Sequence, residues 1–444
     1  MTAATQSAKL TASRAVKSRR WLACARHSVK QLAALVLVGL MVTAATKSLP
    51  ERAAQLAAQP PVRRALDWLE QNTDWVTEQH IRIVEIPAPT FQEAERGRYL
   101  AGLLAACGIQ VHTDAVGNVI GERPGQSEEI VLLTAHLDTV FDEIHEIRVQ
   151  QKGGRLYAPG ITDNGTGLAT LVAVARALHE AGVRTGRSVV FAANVGEEGE
   201  GNLLGMRQLV QTYRPRLHAV ISIDGAATDH IISKALASKR LELSVRGPGG
   251  HSWSDFGLPN PIHALARGVA RFVRVPVPEQ PRTSINVGEI RGGTSVNSIP
   301  AHASVKVDIR SESPAEIERL ERALREAIQA GVAEEMAQAR VKEVRLTIVV
   351  RELGVRPGGE LPEDSPLLAA VRSADQFLGN RSRLERSSTD ANVPLALGIP
   401  AVTLGGGGQG GGAHSLQEWY DPTDRARGLQ RVLLTLLLMT GVLP

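Results

Sequence analysis

Short apolar runs that alternate with helix-like stretches constrain the fold of this chain more than any other feature. The runs Ile130–Ala135, Ser188–Asn194 and Ala219–Ile223 predict buried strands, and Gly165–Glu180 predicts a helix between the first two. Such alternation is typical of an α/β fold with a mainly parallel sheet and helices on both faces. In sheets of this kind, ligands bind beyond the carboxyl ends of the strands.

Residues 238–350 follow a different pattern. Apolar and polar residues alternate, as in half-exposed antiparallel strands, over 238–247, 283–293 and 302–311. Two helices are predicted beside them, at Pro261–Phe272 and Pro314–Ala339. We therefore predict a four-stranded α+β domain that interrupts the α/β fold.

The length of 444 residues also favours two domains, because single cores rarely grow so large. Helices predicted at 62–82 and 91–108 begin the α/β domain. The predicted boundaries are 60–235 for the first part of this domain, 236–348 for the insert, and 349–444 for the second part.

The first 50 residues are predicted to be a signal peptide or a membrane anchor. They contain eight Lys or Arg and no Asp or Glu, and the apolar run Gln31–Ala45 follows the basic part. Because this run is shorter than the roughly 20 residues of a transmembrane helix, a signal peptide is favoured over an uncleaved anchor. Export to the periplasm or the cell exterior is expected. A start codon assigned too early, or a disordered tail, would leave the protein cytoplasmic.

Composition argues against nucleic acid as a partner. Without the eight cations of the first 50 residues, the formal charge falls from +4 to −4, so the remainder is mildly acidic. Aromatic residues form 3% of the chain, too few for surfaces that stack on single strands. The two cysteines, Cys24 and Cys107, define no disulfide framework.

Histidine and carboxylate residues near the ends of the apolar runs have the types and spacing of a two-metal site. They are His136, Asp163, Glu197, Glu198, Asp224 and His414. Two divalent ions about 3.5–4 Å apart need one bridging carboxylate and further N or O ligands on each ion. Asp163 is the natural bridge, with His136 and Asp224 on one ion and Glu198 and His414 on the other. Since the set lacks a thiolate, we expect two zinc ions, with cobalt or manganese as alternatives.

A metal hydrolase also needs a base that accepts a proton from the attacking water. With Glu198 as a ligand, Glu197 is left for this role, although the adjacent pair could be assigned either way from the residues alone. Asp138, two residues after His136, is predicted to orient that histidine. Taken singly, each motif has a common structural explanation, such as a surface loop or a helix cap, and it is their joint occurrence that favours a site.

The glycine-rich run Gly405–Gly412 precedes His414. It lacks the Gly-Lys-Ser/Thr ending of a phosphate-binding loop. Close approach of the backbone to a substrate and simple flexibility are equally good interpretations.

Over roughly residues 65–440 the chain resembles the family-20 zinc metallopeptidases, which include aminoacylase, acetylornithine deacetylase, glutamate carboxypeptidase and tripeptide aminopeptidase. The resemblance rests on HLDTV, GITDNGTG, VGEEGEGNLLGMRQL, GPGGHSWSDFGLPNPIH, GGTSVNSIPAHASVKVDIR and SSTDANVPLALGIPAVTLG. The insert resembles the lid or dimerisation domain of that family, which the family-28 aminopeptidases lack.

The resemblance implies the same five ligands and gives the base to Glu197, the first glutamate of the pair. It further implies that His251 stabilises the oxyanion in the active site of a partner subunit. Asn297 and Arg310 would hold the backbone and carboxylate of the substrate. Many relatives carry a second acid or a Lys beside the bridging aspartate, whereas this chain has Asn164, so the substrate subclass stays open.

The sequence thus predicts a homodimeric, zinc-dependent exopeptidase that cleaves small peptides. An N-acyl-amino-acid amidohydrolase is the first alternative, because the same metal centre can cleave either amide. The second alternative is a non-catalytic interaction protein on the same fold, tethered to a membrane by the first 50 residues.

Overall fold

A nine-stranded mixed sheet is the framework of the computed structural model, which describes residues 49–444. The strands of the described chain are β1 (Gln110–Thr113), β2 (Val119–Arg123), β3 (Ser127–His136), β4 (Gln150–Lys152), β5 (Arg155–Tyr157), β6 (Arg187–Asn194), β7 (Leu217–Ile223), β8 (His230–Ala235), β9 (Ala237–Arg246), β10 (Gly250–His251), β11 (Thr283–Gly292), β12 (Ser298–Ile299), β13 (His302–Ser311), β14 (Thr347–Arg356), β15 (Gly359–Glu360), β16 (Arg383–Ser387), β17 (Ala401–Leu404), β18 (Gln409–Gly411) and β19 (Trp419–Asp421). The large sheet has the order β1-β2-β6-β3-β7-β17-β8-β15, with β16 also paired to β8.

Helices surround this sheet and the insert. Those of the described chain are α1 (Leu49–Ala57), α2 (Pro60–Gln71), α3 (Thr73–Val84), α4 (Ala94–Ala105), α5 (Gly165–Glu180), α6 (Leu204–Tyr213), α7 (Pro261–Phe272), α8 (Pro314–Gln338), α9 (Pro366–Phe377), α10 (Asn392–Ala396) and α11 (Arg425–Thr440), with short 3₁₀ turns at Gly199–Gly201 and Arg214–Arg216.

The four central strands β6, β3, β7 and β17 run parallel to one another, and antiparallel strands flank them. From Ile130 to His136, β3 is buried at every residue rather than at alternate ones. A strand buried in this way has both of its faces covered, as in α/β proteins. The predicted fold class is therefore confirmed, and the carboxyl ends of these strands lie side by side.

The insert contains a separate four-stranded antiparallel sheet with the order β11-β13-β9-β14. Helices α7 and α8 pack on each other and on this sheet, and they enclose a second hydrophobic core. The fourth strand, β14, pairs with β9 from Thr347 to Arg356 and so extends beyond the predicted boundary at residue 348. We refer to residues 237–356 as the lid.

The chain passes between the α/β domain and the lid twice, at Leu236 and at Pro357, and we call these two positions the crossings. The buried side chain of Asn392 binds both of them. Nδ2 of Asn392 donates to the carbonyl oxygens of Leu236 at 2.9 Å and Pro357 at 3.0 Å. The amide of Leu236 in turn donates to the carbonyl of Ser387 at 2.8 Å. The segment 387–392 therefore fastens the two crossings to the α/β domain.

Three features differ from the sequence prediction. The helix predicted at 62–82 is two helices, because the backbone turns at Asn72 (φ −114°, ψ 25°), whose Nδ2 donates to the carbonyl of Trp68. The helix predicted at 91–108 is shorter, at Ala94–Ala105. A small sheet of order β18-β19-β5-β4 was not predicted, since its strands have only three residues each.

The basic and apolar segments of the first 48 residues, and with them the predicted signal peptide or anchor, lie outside the described residues. Within residues 49–444, none of the helices combines the length and apolar character that a membrane span requires.

Candidate metal centre

Four of the five predicted ligands meet at the carboxyl edge of the large sheet. His136 is the last residue of β3, and its Nε2 lies 3.1 Å from Oδ1 of Asp163, just before α5. Nε2 of His414 lies 3.0 Å from both Oδ2 of Asp163 and Oε1 of Glu198. Ligand atoms of His136, Asp163 and Glu198 lie within 4.8 Å of one another, which is close enough to share metal ions.

The fifth predicted ligand, Asp224, lies at the edge of this group. It follows β7 directly, and its Oδ1 is 3.9 Å from Nε2 of His136. Asp163 thus has Nε2 of His136 beside one oxygen and Nε2 of His414 beside the other, and Asp224 and Glu198 lie next to these two histidines. The division of the ligands between two ions stays a prediction.

Two buried polar atoms in the group fit a bound cation. Nε2 of His136 and Oδ1 of Asp163 are buried and form no hydrogen bond within residues 49–444, although they are close together. Buried polar atoms without a partner are rare in proteins, and a cation would satisfy both. A set of imidazole nitrogens and carboxylate oxygens suits zinc, and also cobalt or manganese.

The electrostatics of the metal-ligand group also favour a bound cation. Hydrogen bonds to Asp163 and Glu198 raise the pKa of His414 to about 10. Burial disfavours the charged form of His136, but the nearby carboxylates of Asp138, Asp163 and Asp224 outweigh burial and hold its pKa well above the usual value. The carboxylates therefore create a strongly negative site that attracts positive charge.

Asp138 holds the adjacent glutamates as well as His136. Its buried carboxylate accepts the backbone N–H of Glu197 at 3.0 Å and of Glu198 at 2.9 Å, and the hydroxyl of Thr90 at 3.0 Å. Nδ1 of His136 lies 3.1 Å from the carbonyl oxygen of Asp138 and 3.5 Å from its carboxylate. One residue thus orients three side chains of the site.

Glu197 is bound by an arginine that sequence reasoning missed. Arg356, at the end of β14, donates to Oε1 of Glu197 at 2.7 Å and to Oε2 at 3.3 Å, and also to its backbone carbonyl. The same guanidinium donates to Oγ of Ser388 at 3.1 Å. Both charged side chains are buried, so the lid holds the candidate base through an ion pair.

Asp390 is a second residue that sequence reasoning assigned no role. It is buried, Nδ2 of Asn194 donates to it at 2.8 Å, and burial raises its pKa to about 6. Asn194 ends β6 and is paired in register with His136 on β3. The only sequence signal was an Asp within the mostly uncharged stretch SSTDANVPL.

Asn164, where many relatives were expected to have an acid or Lys, has a structural role here. Its Oδ1 accepts the N–H of Gly167 at 3.0 Å and caps α5. Its Nδ2 donates to the carbonyl of Ile223 at 2.8 Å, one residue before Asp224. Asn164 therefore links the loop of Asp163 to the end of β7.

The glycine-rich run packs against the protein's own chain. Gly407 has φ +100°, and a Cβ atom there would overlap the carbonyl oxygen of Arg425. A Cβ at Gly406 would overlap Oγ1 of Thr170. At these two positions internal packing requires glycine. This explanation is neither of the two predicted from the sequence.

His251, Asn297 and Arg310 lie on the lid, and within residues 49–444 they form no hydrogen bond or ion pair with the metal-ligand group. His251 is exposed, and its Nδ1 accepts the N–H groups of Trp253 at 3.2 Å and Ser254 at 3.3 Å. Asn297 is also exposed, and Arg310 pairs with the neighbouring Asp308 at 2.7 Å. The structure thus brings the predicted ligands together but not these three residues.

Comparison with known proteins identifies the family. Residues 132–438 match Peptidase family M20/M25/M40, and the chain belongs to this family. The protein is therefore a metal-dependent hydrolase of peptide or related amide bonds, and the predicted family and enzyme class are confirmed.

Individual relatives are distant. YqjE of Bacillus subtilis, described as uncharacterized, is 22% identical over 350 residues, which cover 75% of this chain and 90% of YqjE. Acetylornithine deacetylase of Myxococcus xanthus is 28% identical over 300 residues, covering 64% of this chain and 73% of that enzyme. The crystal structure of a tripeptidase from Staphylococcus aureus superposes with a TM-score of 0.68 at 20% identity, covering 83% of this chain and 99% of the tripeptidase.

Proposed function

We propose that the protein is a two-zinc exopeptidase that cleaves small peptides, with Glu197 as the general base. The observation that carries the proposal is the position of Asp163, whose two oxygens face different histidines 3.1 and 3.0 Å away. A carboxylate that bridges two ions has this arrangement. His136 and Asp224 would complete one site, and Glu198 and His414 the other.

The bound ions would polarise the scissile carbonyl and lower the pKa of the attacking water. The residues of the chain then bind, orient and transfer protons. Asp138 holds the backbone of Glu197 and Glu198, so that the two carboxylates keep fixed directions. Glu197 takes a proton from the attacking water at one carboxylate oxygen and returns it to the leaving amine. For this step that oxygen must turn from Arg356 toward the water.

A second candidate is an N-acyl-amino-acid amidohydrolase. The similarity to acetylornithine deacetylase favours it, since that enzyme's name describes removal of an acyl group from an amino acid. The same ligand set and base would serve both reactions, and the side-chain pockets would distinguish them.

The direct test combines metal analysis with a substrate panel. The purified chain from about residue 50 on is expected to contain close to two zinc ions and to cleave dipeptides or tripeptides. Cobalt or manganese should restore activity to the metal-free protein if either can replace zinc. Cleavage of N-acetyl amino acids alone would favour the amidohydrolase, and failure to bind metal when zinc is supplied would refute both candidates.

We further propose a homodimer in which the lid of one subunit brings His251 to the site of the other. The hydrogen bonds of His251 and the exposed side chains beside it support this proposal. Because Nδ1 of His251 accepts two backbone N–H groups, the neutral ring carries its proton on Nε2, which can donate to an oxyanion. Beside it, Trp253 is 86% exposed and Phe256 is 67% exposed, and such an apolar surface suits contact with a partner. Asn297 and Arg310 are proposed to bind substrate at the same composite site.

Export is proposed from the sequence of the first 50 residues, a basic stretch followed by an apolar run. A reporter enzyme fused after residue 60 should appear outside the cytoplasm, either free or membrane-bound. A reporter that remains in the cytoplasm would contradict export.

A further inference from the structure

Glu418 is a buried carboxylate next to the metal centre that neither the ligand set nor the base accounts for. Its side chain is fully buried and lies four residues after His414. Oε1 accepts the N–H of Thr162 at 2.7 Å, the hydroxyl of Thr162, and the N–H of Asp163 at 2.9 Å. Oε2 accepts the N–H of Gly160 at 2.7 Å. Every donor belongs to the loop that carries the candidate bridging ligand.

These hydrogen bonds stabilise the carboxylate of Glu418 in place of a counter-ion. No Lys, Arg or His within residues 49–444 forms an ion pair with Glu418. A buried carboxylate without a cation is strongly unfavourable unless hydrogen bonds compensate for lost hydration. Charge-assisted bonds from backbone N–H groups are among the strong ones, so the loop and the carboxylate hold each other in one arrangement.

The loop is also bound through the carbonyl of Ile161. Nε2 of His80 donates to the carbonyl of Ile161 at 2.6 Å, and the backbone N–H of Ala158 donates to the carbonyl of Glu418 at 3.3 Å. Because Glu418 and His414 belong to the same short connection between β18 and β19, fixing the loop on Glu418 also fixes the distance from Asp163 to His414.

We propose that Glu418 is a positioning residue of the metal centre, which sets Asp163 and His414 at the separation that lets them share a metal ion. The inference rests on the proposed two-metal function. The proposed role requires a carboxylate at position 418, because both side-chain oxygens must act only as hydrogen-bond acceptors. A glutamine would place its NH₂ group against at least one of the four donors.

The test is zinc affinity rather than activity alone. Glu418→Gln in the chain from about residue 50 on, stripped of metal by a chelator, is titrated with zinc against a chromophoric chelator. We expect zinc affinity to fall by about 10–100-fold, as for other residues that orient metal ligands, with a lower kcat and little change in KM. Thr162→Val removes only the hydroxyl donor while keeping the side-chain shape, and a smaller loss of affinity in the same direction is expected.

Glu335→Gln is the control for loss of a buried carboxylate away from the metal centre, although Glu335, unlike Glu418 in the described part of the chain, also pairs with Arg267 at 3.4 Å. Glu335 is also a buried carboxylate that accepts a backbone N–H, from Asn260 at 3.0 Å, but it lies on α8 in the lid. This variant should lower the melting temperature of the metal-free protein and leave zinc affinity unchanged.

The outcomes separate the two proposals. If wild type binds two zinc ions and Glu418→Gln binds them equally well, Glu418 merely stabilises the fold and the positioning role is wrong. If Glu418→Gln does not fold, unchanged affinity in Thr162→Val overturns the role and reduced affinity supports it. If wild type binds no zinc, the two-metal function itself is wrong.

Discussion

At the scale of single residues, the adjacent glutamates have different partners. Glu198 has an extended backbone (φ −79°, ψ 155°), and neighbouring side chains in extended chain point in opposite directions. Glu198 therefore reaches His414, and Glu197 reaches Arg356. This separation supports a ligand role for Glu198 and a base role for Glu197.

Exchange of each glutamate should separate the two roles. Glu197→Gln cannot accept a proton, so we expect turnover to fall by about 10²–10⁴-fold while zinc content is retained. Glu198→Gln should instead lose metal from one site. The measurements are kcat and zinc per chain. Glu200→Gln is the control, because this third glutamate of the motif is exposed. Metal loss in Glu197→Gln, with metal retained in Glu198→Gln, would reverse the assignment.

Asp138 offers a second test at this scale. In Asp138→Asn, the amide NH₂ would face one of the two N–H groups that the carboxylate now accepts. We expect zinc affinity to fall by about 10–100-fold, measured by competition with a chelator. Asp142→Asn, an exposed change nearby in sequence, should have no effect. Equal affinities in the two variants would contradict the orienting role of Asp138.

At the scale of elements, the segment 387–392 joins the lid crossings to the metal centre. It contains Ser388, which contacts Arg356, and Asp390, which accepts a hydrogen bond from Asn194 at the end of β6. Asn392 binds the carbonyls on both crossings. Arg356 and the two crossings are therefore held by the same short segment.

Asn392→Ala tests this element. It leaves two partly buried carbonyls without their donor, and each lost hydrogen bond should lower the free energy of unfolding by about 0.5–1.5 kcal/mol. Urea denaturation followed by circular dichroism measures the change. Asn72→Ala is the control, because its side chain also donates to a carbonyl, but within a half-buried turn. A loss no larger than that of the control would show that the crossings do not depend on Asn392.

At the scale of the whole molecule, the proposed oxyanion donor lies apart from the metal-ligand group. The candidate ligands and base meet in the α/β domain, whereas His251 is exposed on the lid and, within residues 49–444, forms no hydrogen bond or ion pair with them. An oxyanion donor from a second subunit would complete the site, and the exposed Trp253 and Phe256 beside His251 suit that contact.

Mixing two inactive variants tests this arrangement. A heterodimer of His251→Ala and Glu197→Gln contains one site with an intact base and an intact partner histidine, so partial activity should return on mixing. Activity is measured after the subunits exchange, and heterodimers are counted with two different affinity tags. Each variant mixed with itself is the control. Heterodimers that form but stay inactive would exclude a role for His251 across the interface.

The fold class and the place of the ligands follow from local patterns in the sequence. The apolar runs form β3, β6 and β7, and because parallel strands end at one edge of the sheet, His136, Glu198 and Asp224 had to lie near one another. Strand ends are a local property of the chain, and local patterns of hydrophobicity are readable in sequence.

The groups that support those ligands are apparent only in the folded structure. Arg356 binds Glu197 and Glu418 binds the loop of Asp163, yet neither residue stands out in sequence. Their partners lie far away along the chain and become neighbours only when the lid packs against the α/β domain and β19 pairs with β5. Hydrogen bonds and ion pairs form only when donor and acceptor are placed to within a few tenths of an ångström. No periodic pattern of residues encodes positions that finely.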